Sequence, residues 1–346
     1  MIEPAYPAKP SPGDRVAIVS PAAGLPELYP LPYELGLRRL TEDFGLVPVE
    51  YPTTRKMGTS PQERAADLHA AFADPEIKAV IASIGGSDQI TVIPHLDAEL
   101  IRANPKPFFG YSDNTNLLDF LWRQGIVGFH GGGVMTQYGR PGAMDPMSES
   151  SIRAALFTSG PYELTEPARI TEVNRDWADP ATFDAEPATE PATGWSWHRA
   201  DRVVEGRSWG GCLDIVAWLM MADRIAPPET YEGCVLFLET SEELMSADEV
   251  YFTLRCMGER GLLRRFPALL MGRAMAWSFQ KPLGPAERER HRAEQRAAVL
   301  RALAEYAPDT MAVFDVDLGH TEPQQIVPYG GVVRVDGPAR RVTVHY

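Results

Sequence analysis

The first 160 residues alternate short apolar runs with stretches of helical periodicity, and this alternation constrains the possible folds more than any other feature. The segments Asp14–Pro21 and Ala79–Ile84 are predicted to be buried strands, and Lys106–Gly110 is a third candidate. Between the first two strands, Ser60 and Glu63 have the spacing of a capping box, which predicts the start of a helix. Strands that alternate with helices in this way indicate a parallel sheet, so an α/β fold is predicted.

The chain is predicted to contain two units joined by a long segment. Residues 1–165 form an amino-terminal α/β domain, and residues 203–346 form a carboxy-terminal domain with strands at Cys234–Glu239 and Ala268–Gly272. Residues 166–202 carry several prolines, many acidic residues and three tryptophans without a clear period. Because disordered linkers are poor in aromatic residues, this segment is predicted to be an ordered loop or interdomain crossing.

Composition excludes several classes of protein. The net charge of −14 argues against nucleic-acid binding, which requires basic surfaces. Glu287–Arg301 is rich in both acids and bases and is predicted to be a helix with a solvated charged face. No apolar run is long enough to span a membrane, and the amino terminus lacks a secretory signal. The three separated cysteines, Cys212, Cys234 and Cys256, favour a reducing cytoplasm over a disulfide framework or a structural zinc site.

The segment around Ser112 carries the strongest chemical signal. An apolar strand runs into Gly110-Tyr111-Ser112, and a helical pattern follows at once. A serine in such a strand–turn–helix junction is held exposed, with backbone N–H groups directed at a developing oxyanion. The motif departs from GxSxG because Asn114 replaces the second glycine. The alternative is that Ser112 merely caps the helix.

Two glycine-rich segments are candidates for the oxyanion hole. The Gly85-Gly86 pair ends a predicted buried strand, where the absence of side chains allows close approach to a ligand. A plain strand-to-helix turn is the alternative for this pair. His130 and the three glycines after it spell the HGGG motif of esterases, but there the motif precedes the nucleophile, whereas here it follows Ser112. His130 and its glycines are therefore predicted to form a tight turn after a strand.

A serine nucleophile needs a base and an orienting carboxylate. Of the seven histidines, His320 stands out because it follows the apolar run Met311–Leu318 on a glycine-bearing loop. Glu239 ends a predicted buried strand, where a carboxylate is costly unless it is paired or functional. Glu239 could also simply mark the end of that strand. Together with Ser112 these residues have the order Ser, acid, His, which is one workable order for a triad.

Three segments taken together resemble the serine LD-carboxypeptidases, or muramoyl-tetrapeptide carboxypeptidases. They read GYSDNTNLL, LFLETSEE and GHTEPQQIVPYG, and the segment GRSWGGCLDIV fits the same pattern. The resemblance covers nearly the whole chain. The tryptophan-bearing insertion looks more like the branch that contains the microcin C self-immunity proteins.

The resemblance implies Ser112 as nucleophile, His320 as base and Glu239 as acid, with oxyanion donors from the N–H groups of Asp113 and Gly86. It implies a flavodoxin-like amino-terminal domain, a smaller mixed-sheet carboxy-terminal domain and an active site at their interface. A cytoplasmic homodimer without metal or cofactor is expected. The implied substrates are small molecules or peptides: an amide at an L,D-type centre of murein peptides, or an aminoacyl-nucleotide.

Two readings of the tryptophans and two rival functions stay open. Trp195 and Trp197 are two residues apart, so in extended chain both could flank a nucleobase, or both could anchor the insertion. One rival function is a carboxylic-ester hydrolase with the same triad. The other is a non-catalytic binding protein in which Ser112 is only a helix cap.

Overall fold

The computed structural model describes residues 3–346, which form sixteen strands and eight α-helices. The strands are β1 (Arg15–Val19), β2 (Val47–Glu50), β3 (Ile77–Ala82), β4 (Phe108–Gly110), β5 (Gly128–His130), β6 (Pro161–Leu164), β7 (Arg169–Ile170), β8 (Glu190–Pro191), β9 (Ser196–His198), β10 (Val203–Cys212), β11 (Val235–Glu239), β12 (Ala268–Gly272), β13 (Met311–Val316), β14 (Val327–Tyr329), β15 (Val332–Asp336) and β16 (Arg341–His345). The helices are α1 (Pro30–Glu42), α2 (Pro61–Ala73), α3 (Ala98–Ala103), α4 (Thr115–Arg123), α5 (Pro146–Phe157), α6 (Leu213–Met221), α7 (Ala247–Glu259) and α8 (Pro285–Tyr306). Within these residues no helix has both the length and the apolar character needed to cross a bilayer.

The amino-terminal sheet has the strand order β14-β5-β4-β3-β1-β2. Strands β1 to β5 are parallel, and their order is that of flavodoxin, so the predicted flavodoxin-like domain is confirmed. The capping box at Ser60 and Glu63 is also confirmed and begins α2. In open sheets of this kind ligands bind outside the carboxyl ends of the strands, and Ser112 follows the carboxyl end of β4.

The carboxy-terminal sheet is mixed, as predicted. Its order is β6-β16-β15-β10-β11-β12-β13-β9. Strands β10 to β13 are parallel to one another, and the outer strands are antiparallel. Glu239 is the last residue of β11, so it lies at the carboxyl end of the parallel part of this second sheet.

Each sheet receives a strand from the other half of the chain. Strand β14 pairs with β5 in the amino-terminal sheet, and β6 pairs with β16 in the carboxy-terminal sheet. The division at residue 165 stays a prediction, because β6 lies before it in sequence but belongs to the second sheet. The exchange ties the two sheets together on both sides of the site.

Strand β10 packs directly against the helix that follows Ser112. The indole Nε1 of Trp209 donates a hydrogen bond of 3.0 Å to Asp119 Oδ1 on α4. Gly211 has φ of +109°, and a Cβ there would lie 2.6 Å from Thr115 Oγ1 at the start of α4. The two domains are therefore in contact along α4.

The insertion, residues 166–202, is ordered and is held in place by ion pairs. Its strands β7 and β8 form a small antiparallel sheet, and β9 joins the edge of the carboxy-terminal sheet beside β13. The buried carboxylate of Glu172 pairs with Arg288 at 3.0 Å and also with Arg292 on α8. The predicted helix with a solvated face is present, since Glu289, Arg290 and Glu294 are exposed, and the opposite side of α8 carries the ion pairs that hold the insertion.

We predict that Trp209→Phe lowers the free energy of unfolding by about 2 kcal/mol, because Asp119 then loses a donor inside the protein. Both side chains are fully buried, and burial raises the pKa of Asp119 to about 6, so its ionised form depends on its remaining partners. Chemical denaturation measures the change. Trp197→Phe is the matched control, since Trp197 is only half-buried; equal losses in both variants would contradict the prediction.

Candidate active site

Ser112 occupies a sharp junction between strand β4 and helix α4. Its φ is +60°, a left-handed conformation that is unusual for a residue with a side chain and is typical of a nucleophile turn. The N-cap residues of the turn and of the helix that follow are Tyr111 and Asn114, so Ser112 is not the capping residue of either. The alternative role of Ser112 as a helix cap therefore has no support in the geometry.

The Gly85-Gly86 turn adjoins the nucleophile. A Cβ built on Gly85 would lie 3.0 Å from Ser112 Oγ and 3.5 Å from the backbone nitrogen of Asp113, so this glycine backbone lies directly against Ser112. A Cβ on Gly86 would instead contact Ala22. The sequence analysis predicted a role for Gly86 but not for Gly85. The only indication of Gly85 in the sequence is that it precedes Gly86 in the same glycine pair. The N–H groups of Gly86 and Asp113 remain predicted oxyanion donors.

Hydrogen bonds fix this glycine turn to the nucleophile junction. The backbone N–H of Gln89 donates to Asp113 Oδ2 at 2.9 Å, and Gln89 Nε2 donates to Asn114 Oδ1 at 2.8 Å. Asn114 in turn donates from Nδ2 to the carbonyl of Ile84 at 3.1 Å. Asn114 thus replaces the second glycine of GxSxG with a side chain that joins the two turns. Gln89 is a further residue that sequence reasoning missed.

Asp113 is buried beside the nucleophile. Burial raises the pKa of its carboxyl group to about 6, while the hydrogen bond from the Gln89 backbone acts in the opposite direction. The amide of Asn116 also donates to Asp113 Oδ1 at 2.9 Å. The Asp113 side chain therefore has a structural role, and only its backbone N–H is available as the predicted oxyanion donor.

Glu239 and His320 form the central ion pair. His320 Nδ1 lies 2.5 Å from Glu239 Oε2, and both side chains are buried or nearly so. Gly319 leaves room for the pair, because a Cβ there would lie 2.8 Å from Glu239 Oε2. The expectation that Glu239 orients His320 thus agrees with the contact.

The charges of the pair stabilise each other. Burial alone would raise the pKa of Glu239, but the attraction of His320 outweighs it, and the pKa is lowered. Burial alone would lower the pKa of His320, but Glu239 and Glu242 outweigh it and raise that pKa to about 9. The resting pair is therefore a carboxylate with an imidazolium.

The two sheets bring His320 next to the nucleophile junction. The rings of His320 and Tyr111, the residue before Ser112, are in edge contact with centroids 5.0 Å apart. Among the described residues no hydrogen bond joins Ser112 Oγ to His320. In free enzymes catalytic hydrogen bonds are often long and tighten when substrate binds. The fold thus places His320, the predicted base, beside the predicted nucleophile, with its Nδ1 already in contact with Glu239.

Two aspartates that shortly precede His320 in the chain pair with other groups. Asp317 accepts hydrogen bonds from Arg273 at 3.0 Å and from Trp195 Nε1 at 2.9 Å. Asp315 pairs with Arg296. Neither aspartate is therefore arranged to orient His320.

His130 ends β5, and three glycines follow it. The ring of His130 is fully buried, and burial lowers its pKa to about 4, so it is neutral. Gly131 and Gly132 have φ of +124° and +74°, and the N–H of Gly132 donates to Gln324 Oε1 at 3.0 Å. The Gly132 donor is therefore used within the fold, and a short π-helix begins at Val134; the tight turn itself stays a prediction.

The insertion tryptophans lie along strand β13. Trp195 is held through Asp317, near the end of β13 that leads to His320, whereas Trp197 pairs with Val313 and its ring lies 5.4 Å from the Arg340 guanidinium. These contacts favour the anchoring of the insertion. Nucleobase stacking by Trp195 and Trp197 stays a prediction.

Comparisons with known proteins show the family and the fold of this chain. Family models described as the LD-carboxypeptidase N-terminal and C-terminal domains match residues 16–131 and 205–335. A putative carboxypeptidase of Vibrio cholerae is 26% identical over 268 residues, with coverage of 75% of this chain and 77% of the relative. The microcin C7 self-immunity protein MccF of Escherichia coli is 25% identical over 287 residues, with coverage of 82% and 78%. The solved structure of MccF in complex with glutamyl sulfamoyl guanosine has the same fold, with a TM-score of 0.84 at 21% identity over 99% of each chain.

We predict that Glu239→Gln lowers kcat at least ~10²-fold, because an amide of the same size cannot stabilise a histidinium as a carboxylate does. The measurement is steady-state hydrolysis of a model amide. Asp315→Asn is the matched control: it removes a carboxylate that pairs with Arg296, and its activity should change only a few-fold. A loss below tenfold for Glu239→Gln would remove Glu239 from the role of orienting acid.

Proposed function

The chain belongs to the LD-carboxypeptidase family of serine carboxypeptidase-like hydrolases, and we propose that it cleaves an amide through an acyl-enzyme formed on Ser112. The observation that carries the proposal is the 2.5 Å contact between Glu239 and His320, made beside the left-handed turn of Ser112. A buried base paired with a buried acid, at the junction of two sheets, is the arrangement that activates a serine hydroxyl.

The reaction has two halves. Ser112 Oγ attacks the scissile carbonyl and passes its proton to His320 Nε2, and Glu239 stabilises the imidazolium through Nδ1. The tetrahedral intermediate collapses when His320 protonates the leaving amine. A water molecule, deprotonated by His320, then attacks the acyl-enzyme and releases the acid while Ser112 recovers its proton.

Backbone donors stabilise the oxyanion in this proposal. The N–H of Asp113 lies at the start of the turn into α4, and the Gly85-Gly86 turn adjoins Ser112 from the side of β3. Removing one such donor typically costs ~3 kcal/mol of transition-state stabilisation. The hydrogen bonds of Gln89 to Asp113 and Asn114 would keep the two donor segments at a constant separation.

The substrate we propose is either an amide of an aminoacyl-nucleotide or an amide at an L,D-type centre of a murein peptide. The similarity to MccF, which has been solved with glutamyl sulfamoyl guanosine, extends over 82% of the chain in sequence and favours the aminoacyl-nucleotide. The family description as LD-carboxypeptidase favours the murein peptide. Hydrolysis of an aminoacyl-sulfamoyl adenosine and of a murein tetrapeptide, each followed by mass spectrometry, distinguishes the two.

We expect Ser112→Ala to retain less than a few percent of turnover, because no other hydroxyl replaces the nucleophile. A fluorophosphonate should label Ser112 in the wild-type protein, as identified by peptide mass. Ser87→Ala is the matched control and should still be labelled. Larger residual turnover in Ser112→Ala would contradict the assignment, and absence of labelling would favour a non-catalytic binding protein. Turnover of model esters without turnover of amides would instead favour an ester hydrolase.

We predict that Trp195→Ala raises KM for the aminoacyl-sulfamoyl adenosine about 5- to 100-fold, because stacking on a base contributes ~1–3 kcal/mol. The tetrapeptide has no such ring and should be nearly unaffected. Trp195→Phe keeps an aromatic face but removes the hydrogen bond to Asp317, so it separates stacking from anchoring. Trp197→Ala is the parallel variant. Equal losses on both substrates, with a lower melting temperature, would make the tryptophans anchors and favour the murein peptide.

A further inference from the structure

Glu242 lies against the catalytic nitrogen of His320. Its Oε2 is 3.4 Å from His320 Nε2, while Nδ1 of the same ring is held by Glu239. His320 is thus placed between two carboxylates, one at each ring nitrogen. Glu242 had no signal in the sequence beyond its nearness to Glu239.

This contact conflicts with the reaction. Nε2 must accept the proton of Ser112, and it can do so only when it carries an unshared electron pair. A carboxylate at each nitrogen favours the form in which both nitrogens carry hydrogen, and that form cannot act as a base. The resting contact therefore has to be broken before Ser112 can react.

We propose that Glu242 is a positioning residue that holds His320 Nε2 in the resting enzyme and must withdraw before Ser112 is activated. This inference rests on the proposed function, because it assumes that His320 is the base for Ser112. Glu242 does not contact the reacting atoms in the step itself; it controls whether the base is available.

The Glu242 side chain is less constrained by burial and by hydrogen bonds than the other acidic groups around His320. Its side chain is 49% exposed and lies in the loop between β11 and α7. Within residues 3–346 it makes no other ion pair or hydrogen bond. Glu239 on β11 is fully buried, and Asp214 on α6 is held by Ser241 Oγ at 3.0 Å.

The remaining groups that face His320 do not change this conclusion. His130 on β5 is buried and neutral, so it adds no competing charge. The ring of Tyr111 is in T-shaped contact with the ring of His320 and carries no charge. Asp214 acts on His320 in the same direction as the two glutamates, but more weakly. Glu242 is therefore the one carboxylate whose removal exposes Nε2 without disturbing the buried pair.

The consequence is a defined pH dependence. The pKa of His320 is raised to about 9, so the neutral base is scarce at pH 7 and increases as the pH rises. Glu242→Gln removes one of the two largest negative charges that raise the pKa of His320. We therefore expect the midpoint of the pH–rate profile to fall by about one pH unit, which corresponds to a tenfold change in proton affinity. The neutral fraction near pH 7 should then rise roughly tenfold.

The experiment measures the rate at which a fluorophosphonate labels Ser112, across a pH series, in the wild type and in Glu242→Gln. This readout does not require the natural substrate. The expected result is faster labelling of the variant near neutral pH, by roughly tenfold, and equal rates at high pH, where His320 is neutral in both proteins. Glu243→Gln is the matched control, because Glu243 is the adjacent acid and, within residues 3–346, forms no ion pair or hydrogen bond with His320. Its pH profile should overlay that of the wild type.

Two outcomes would overturn the inference. One is a Glu242→Gln profile with the wild-type midpoint. The other is a uniform loss of rate at every pH, as expected if Glu242 served the reaction directly. Titration of the His320 ring by nitrogen-15 NMR gives the same midpoint without the fluorophosphonate reaction. The same spectra show whether the variant is folded. If Ser112 is not labelled in any of the three proteins, the proposed function fails, and this result is distinct from an unshifted profile.

Discussion

The carboxylate of Glu239, buried where the two sheets meet, is the constraint on which the rest of the site depends. A charge removed from water is tolerated only when it is paired, and removing the partner of a buried pair typically costs ~3–5 kcal/mol. His320 supplies the pairing at 2.5 Å. Side-chain-free positions surround the acid, since a Cβ on either Gly272 or Gly319 would lie 2.7 Å from Glu239 Cβ. The glycines that end β12 and precede His320 are thus explained by one buried charge.

Ser112, the proposed nucleophile, follows a strand of the other sheet, so the proposed site requires a stable interface between the two sheets. The exchange of β6 and β14 ties each sheet to the other half of the chain, and the bond from Trp209 to Asp119 joins β10 to the nucleophile helix. The contact of Tyr111 with His320 completes the junction. A catalytic geometry that must hold to within about half an ångström needs such support from rigid elements.

The insertion is attached to the same framework by a different interaction. Glu172 is buried between Arg288 and Arg292 of α8, and Trp195 is held by Asp317, which also binds Arg273. These anchors lie at the carboxyl end of β13, from which the chain continues to His320. A backbone bridge between Thr171 and Glu322 brings the insertion still closer to the base. The segment that shows no clear period in the sequence is therefore fixed beside the proposed catalytic residues.

The sequence by itself determined the features that depend on local spacing. The alternation of strands and helices, the capping box at Ser60, the junction at Ser112 and the costly carboxylate of Glu239 all carry short-range signals, and the family resemblance placed them in register. Tertiary structure alone decided the exchange of β6 and β14, the contact of Gly85 with Ser112 and the position of Glu242 at His320 Nε2. These features join residues far apart in the chain, or select one acid among neighbours, and the pairing of distant segments leaves no period in the sequence from which it could be predicted.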